Sequence, residues 1–164
     1  MSTYKHLQEK YPNLRHQKRK QSTYCVGEKK ATYRLEHIEN CPLVDYQVDG
    51  MLISSHEEDQ RKCDYLLLLN PTKAEWIQIF IELKGKNVEN GITQLLQTLT
   101  HPLFASCPKG ERRFARLVAS SYPSAKNNQF IEKAKISFIR DYHCPLRCMK
   151  SGQSEGFNTL RRGK

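Results

Sequence analysis

The stretch Trp76-Ile77-Gln78-Ile79-Phe80-Ile81-Glu82-Leu83-Lys84 constrains this chain more than any other. It is rich in β-branched and aromatic residues, which favours a strand, and Gly85 closes it. An acid and a lysine nevertheless sit at its end, two residues apart. In a strand that spacing puts Glu82 and Lys84 on one face, with Leu83 pointing the other way into the core. A charge in a strand this apolar is costly unless it is paired or used.

The neighbouring segments give the pair a context. Cys63-Asp64-Tyr65-Leu66-Leu67-Leu68-Leu69 is a short apolar run ended by Asn70-Pro71, and its length and bounds favour a buried strand. If the two strands pair around the Asn70–Lys73 turn, Asp64 and Glu82 lie equally far from Lys73 and meet at one end of the sheet. Upstream, Tyr46 to Ile53 is expected to form another strand, and polar Ser54 to Lys62 a turn. After Gly85 the period changes: Val88, Ile92, Leu95, Leu96 and Leu99 fall on one helical face. Gly91 and Thr98 form an adjoining strip of small residues that lets the helix lie close on a sheet. Arg113 to Ser120 is expected to be a strand, and Phe130 to Tyr142 a helix with Ile131, Ala134, Phe138 and Tyr142 inward. The order strand, strand, strand, helix, strand, helix predicts an α/β (or α+β) fold with a mixed sheet.

Charge divides the chain differently. Residues 1–30 hold eight Lys/Arg against two acids, and residues 147–164 hold five against one. The 14 basic and 14 acidic residues between them cancel, so the formal net charge of +10 sits at the two ends. The expected organisation is a basic N-terminal tail or loosely held helix over 1–30, a domain over 31–150, and a basic tail over 151–164. Basic ends suit a polyanion, since Lys and Arg displace counterions from a phosphate backbone; Lys18, Arg19, Lys20 and Lys86 are the candidate contacts. Solubilising tails would have the same composition. No apolar run is long enough to cross a membrane, and the first residues lack the apolar core of a secretory signal, so a cytoplasmic location without disulfides is expected. The six cysteines contain no CxxC pair. Cys144-x3-Cys148 after His143 hints at zinc, but buried or incidental thiols are the simpler reading.

Two carboxylates and a lysine at one sheet end have a chemical logic. Hard divalent cations prefer oxygen ligands, and a metal near a scissile phosphate stabilises its charge and acidifies a bound water. Lysine can orient that water or neutralise the developing charge. Alone, Glu-x-Lys is a weak signal, and a surface ion pair, with Asp64 as an ordinary strand-edge acid, explains it better.

In context, Lys62-Cys63-Asp64-Tyr65-Leu66-Leu67 followed by Phe80-Ile81-Glu82-Leu83-Lys84-Gly85 resembles the PD-(D/E)xK nuclease superfamily, in particular its small stand-alone members. The resemblance covers about residues 45–100, with Cys63 where proline is common. It implies a restriction endonuclease-like α-β-β-β-α-β core, a central mixed sheet flanked by helices, and Mg²⁺ (or Mn²⁺)-dependent hydrolysis of nucleic-acid phosphodiesters. Asp64, Glu82 and the Leu83 carbonyl would hold the metal, Lys84 would act on the water, and Gln94 would support the site. The expected activity is that of a DNA endonuclease. A non-catalytic nucleic-acid- or protein-binding module, a branched-DNA resolvase acting as a homodimer, and an RNA substrate stay open. Many relatives add an upstream acid; Glu36, Glu39, Asp45 and Asp49 are the candidates, with Asp49 more simply read as a solvent-facing residue.

Overall fold

The computed structural model describes residues 1–28, 31–56, 62–122 and 128–161. In chain order the elements are α1 (Thr3–Lys10), β1 (Arg19–Lys20), β2 (Tyr24–Glu28), β3 (Ala31–Glu36), β4 (Pro42–Gln47), β5 (Tyr65–Thr72), β6 (Glu75–Lys84), α2 (Val88–Thr100), β7 (Glu111–Ala119), α3 (Asn128–Tyr142), β8 (Leu146–Lys150), β9 (Ser154–Gly156) and α4 (Phe157–Arg161). A six-stranded mixed sheet runs β1-β4-β5-β6-β7-β8, and a three-stranded sheet runs β2-β3-β9. The neighbours β4, β5 and β6 pair antiparallel, whereas β6, β7 and β8 are parallel. The fold is therefore α/β, as expected, with a second small sheet that the sequence did not announce. No described helix is long and apolar enough to cross a membrane.

The large sheet is buried on both faces, which explains why β5 and β6 read as nearly continuous apolar runs. One face carries Leu66, Leu68, Trp76, Phe80, Ala115 and Leu117, packed against Leu7 of α1, Ile92, Leu95 and Leu99 of α2, and Phe138 of α3. The other carries Leu67, Leu69, Ile77, Ile79, Ile81 and Val118, packed against Tyr24, Tyr33 and Leu35 of the small sheet and Phe157 and Leu160 of α4. Alternation in β6 thus assigns Gln78, Phe80, Glu82 and Lys84 to the helical side.

Three stretches differ from the sequence reading. The strand expected over residues 46–53 is instead β4 followed by a tight turn. Gly50 adopts φ +85°, and the amides of Leu52 and Ile53 both donate to the Val48 carbonyl. Val48, Leu52 and Ile53 are apolar because the turn plugs the core. Within residues 1–20 the helix, one of the two expectations, is present as α1, but it is tied to the sheet instead of loosely held. Ser2 caps α1 by accepting from the Lys5 amide, Tyr4 stacks on Trp76 at 4.9 Å, and Thr3 donates to Glu111. Past residue 150, Glu155, Phe157 and Leu160 are buried. Part of the polar stretch expected as a turn, residues 57–61, lies outside the described residues, as do 123–127 in the loop expected before α3.

Candidate active site

The hairpin of β5 and β6 builds the site. Tyr65 pairs with Ile81, and continuing that register by one residue brings Asp64 opposite Glu82. The Asp64 carboxylate turns across to β6, where Oδ2 accepts a hydrogen bond of 2.8 Å from the Leu83 amide. Asp64, Glu82 and Lys84 therefore meet at one end of the sheet, the arrangement expected from strand alternation and the turn at Lys73.

Glu82 is the anomalous group. Its side chain is only 1% exposed, and neither carboxylate oxygen receives a well-aligned hydrogen bond from the described residues, although the Lys84 ammonium and the Asp64 backbone both bear on it. Lys84 Nζ lies 3.1 Å from Oε1, an ion contact without hydrogen-bond alignment, and is itself 24% exposed. Burial first, and the Asp64 charge second, push the Glu82 carboxyl up to about 8, although Lys84 pulls it down. A buried carboxylate with lone pairs to spare, beside a second carboxylate, fits a hard divalent cation, and the Leu83 carbonyl is the third donor that the resemblance implies. Among the described residues no three His, Cys, Asp or Glu side chains gather as a metal site. The protein's own share would therefore be two carboxylates and a backbone oxygen.

Helix α2 closes the site from above. A Cβ added at Gly91 would lie 2.5 Å from Leu117 Cδ1, 3.0 Å from Lys84 Cγ and 3.4 Å from Glu82 Cγ. The small residue predicted to let the helix lie close is thus what admits it over the two charged side chains. Leu117 is fully buried, so it has little room to retreat. Gly91→Ala should cost about 1–3 kcal/mol by overpacking, against about 1 kcal/mol of improved helix propensity. The expected net effect is a lower melting temperature in thermal unfolding; an unchanged or raised one would show that the helix can shift outward. Gln94 reaches the site region indirectly, its Nε2 donating to the Lys62 carbonyl at 3.0 Å while Oε1 is buried without a partner among the described residues.

The remaining candidates separate. Lys86 is exposed in the loop directly after β6. Lys18, Arg19 and Lys20 lie elsewhere: Arg19 is opposite Leu43, which is opposite Leu69. That is three strands away from β6 and about 16 Å along the strand direction from Asp64 at ~3.3 Å per residue. Arg19 is paired to Asp45 at 2.8 Å, and Lys18 Nζ sits over the rings of Tyr4 and Trp76 at 5.3 and 5.6 Å. The upstream acids divide by face. Asp45 is opposite Leu67, on the side away from Glu82, and also accepts from Tyr24. Glu36 pairs with Arg34 at 3.6 Å, and Glu39 stands in a left-handed turn at φ 49°. Asp49 is the one whose contact reaches the site region, with Oδ1 4.0 Å from Lys62 Nζ.

Cys63 and Cys144 are core residues, and burial pushes both thiols up, well above the ordinary value at Cys63 and to about 12 at Cys144. Sequence reasoning did not single out Lys62, whose buried ammonium donates to the Ser54 carbonyl, and it read Thr98 only as small. Nothing in their local pattern signals either role. No protein-family model, curated protein or solved structure matches the chain.

Proposed function

We propose that this chain is a divalent-cation-dependent nuclease that hydrolyses phosphodiester bonds of DNA, acting as an endonuclease, with Asp64, Glu82 and Lys84 as its catalytic set. The observation that carries the reading is the buried Glu82 carboxylate, without a well-aligned hydrogen bond among the described residues and held between Asp64 and Lys84. A fold keeps such a group at the end of an apolar strand against its desolvation cost, which a structural ion pair would not require. When bound, Mg²⁺ or Mn²⁺ would stabilise charge on the scissile phosphate and acidify the attacking water.

The chain's own residues divide the remaining work. Asp64 and Glu82 supply negative oxygens whose mutual repulsion a cation relieves. Asp64 is oriented for this by the Leu83 amide. Lys84 Nζ, partly exposed on the same face, can hydrogen-bond the attacking water or a phosphate oxygen as charge develops there. The excess of basic residues at the chain ends favours a polyanionic substrate.

The test is incubation of supercoiled plasmid, linear DNA and RNA with the protein in Mg²⁺ or Mn²⁺. Nicking or linearisation of plasmid is expected from the wild type, with Glu82→Ala and Lys84→Ala slower by about 10²–10³-fold. Equal activity in wild type and Glu82→Ala, or none in either, removes the reading; cleavage of RNA alone moves the substrate.

A further inference from the structure

The turn that presents Asp64 has an unusual support. The peptide linking Lys62 to Cys63 has one carbonyl and one amide, and helix α2 takes both. Gln94 Nε2 donates to the Lys62 carbonyl at 3.0 Å, and the Cys63 amide donates to Thr98 Oγ1 at 2.7 Å. Residues 94 and 98 are one helical turn apart and so lie on the same face. Thr98 is fully buried, and its hydroxyl proton goes to the Gln94 carbonyl at 2.7 Å, which leaves the oxygen directed at Cys63. Cys63 is fully buried as well.

Asp64 follows this gripped peptide by one residue. Its own backbone is tied on the other side, where its carbonyl accepts from the Val48 amide at 2.9 Å. The carboxylate is therefore aimed by a short segment fixed from three directions: by α2, by the turn after β4, and by the Leu83 amide. The Thr98 hydroxyl bonds the Cys63 amide and the Gln94 carbonyl, so it bears on the chemistry through where Asp64 stands.

We infer that Gln94 and Thr98 act as a peptide clamp, positioning residues that hold Asp64 at the spacing from Glu82 that a divalent cation needs. The inference rests on the proposed metal-dependent reading of the site and adds the reason why the helix after Glu-x-Lys carries these two side chains. Outer residues that orient metal ligands typically change metal affinity by about 10–100-fold when removed.

The experiment measures Mn²⁺ binding to the full chain by titration calorimetry and Mn²⁺ electron paramagnetic resonance, with thermal stability recorded alongside. Thr98→Val keeps the shape but removes the hydroxyl. It should weaken Mn²⁺ binding by about tenfold or more, and Thr98→Ser should restore it. Leu99→Ala is the control: it removes core packing from the same helix without touching the clamp, so it should lower the melting temperature and leave Mn²⁺ affinity within about twofold. If Thr98→Val does not fold, Gln94→Met tests the other half of the grip and should weaken Mn²⁺ binding comparably. Unchanged Mn²⁺ affinity in the clamp variant, or an equal loss in Leu99→Ala, overturns the clamp and leaves the nuclease reading standing. A wild-type protein that binds no Mn²⁺ removes both.

Discussion

Raising the pH from 5 to 8 is expected to lower the stability of the cation-free protein, and Glu82→Gln should abolish most of that fall. The Glu82 carboxyl is pushed from its ordinary 4.5 up to about 8 by burial and then by the Asp64 charge. Between those two values the folded chain keeps a proton that the unfolded chain has lost, so stability decreases as pH rises. The slope from one such group is up to about 1.4 kcal/mol per pH unit, and it vanishes above about pH 8, where both states are ionised. Glutamine cannot ionise, so the variant should be the more stable protein at pH 8 and close to wild type at pH 5. Asp64→Asn removes the second cause only and should shrink the fall in part. Mn²⁺ competes with the same proton and should raise the melting temperature most at the alkaline end. Parallel melting curves for wild type and Glu82→Gln across this range would mean that Glu82 is hydrated.

The second large effect belongs to a different buried carboxylate. Glu155 of β9 is fully enclosed, and its Oε1 accepts from Tyr33 at 2.6 Å and from Arg116 Nε at 2.7 Å, while Oε2 accepts from Arg147 at 3.1 Å. These partners come from β3, β7 and β8, so one residue ties the small sheet to the large one. Glu155→Ala leaves Arg116, whose side chain is 6% exposed, without its counter-charge. Removing one partner of a buried pair costs about 3–5 kcal/mol, a large share of the 5–15 kcal/mol that holds a domain together. Urea unfolding should therefore show a midpoint far below wild type. The double variant Glu155→Leu with Arg116→Met should recover most of the loss, because no charge is then stranded. A loss under about 1 kcal/mol in Glu155→Ala would show that water enters and solvates Arg116.

These two carboxylates also mark what could be read from the sequence. Glu82 was legible because its information is local: alternation fixes the face it shares with Lys84, and a nearby turn brings the strand of Asp64 alongside, although the exact register depends on a bulge that the sequence does not signal. Glu155 was not, since its partners Tyr33 and Arg116 lie 122 and 39 residues away and nothing near it in the chain points to them. The same holds for the small sheet, in which β9 runs parallel to a strand from the other end of the chain. The N-terminal helix has one fully buried apolar residue, Leu7, and owes its place to distant partners, Trp76 and Glu111. At residues 48–53 apolarity was taken for extension, and the positive φ at Gly50 bent the chain instead. Asp45 kept its standing among the upstream acids only until the pairing with Leu67 assigned its face.

The irregularity in the β5–β6 hairpin has a consequence of its own. Near the turn, Thr72 is opposite Glu75, but from Leu69 onward the partners shift by one, so that Leu69 meets Ile77 and Tyr65 meets Ile81. Carried through unshifted, the pairing at the turn would have set Tyr65 against Glu82 and Asp64 against Leu83. Because side chains alternate, Asp64 and Glu82 would then have pointed to opposite sides of the sheet. The bulge thus works as a phase correction between the turn and the carboxylates. Lengthening or shortening the chain by a single residue between Asn70 and Ala74 therefore tests parity: an odd change that the bulge cannot absorb separates the two acids without touching either of them.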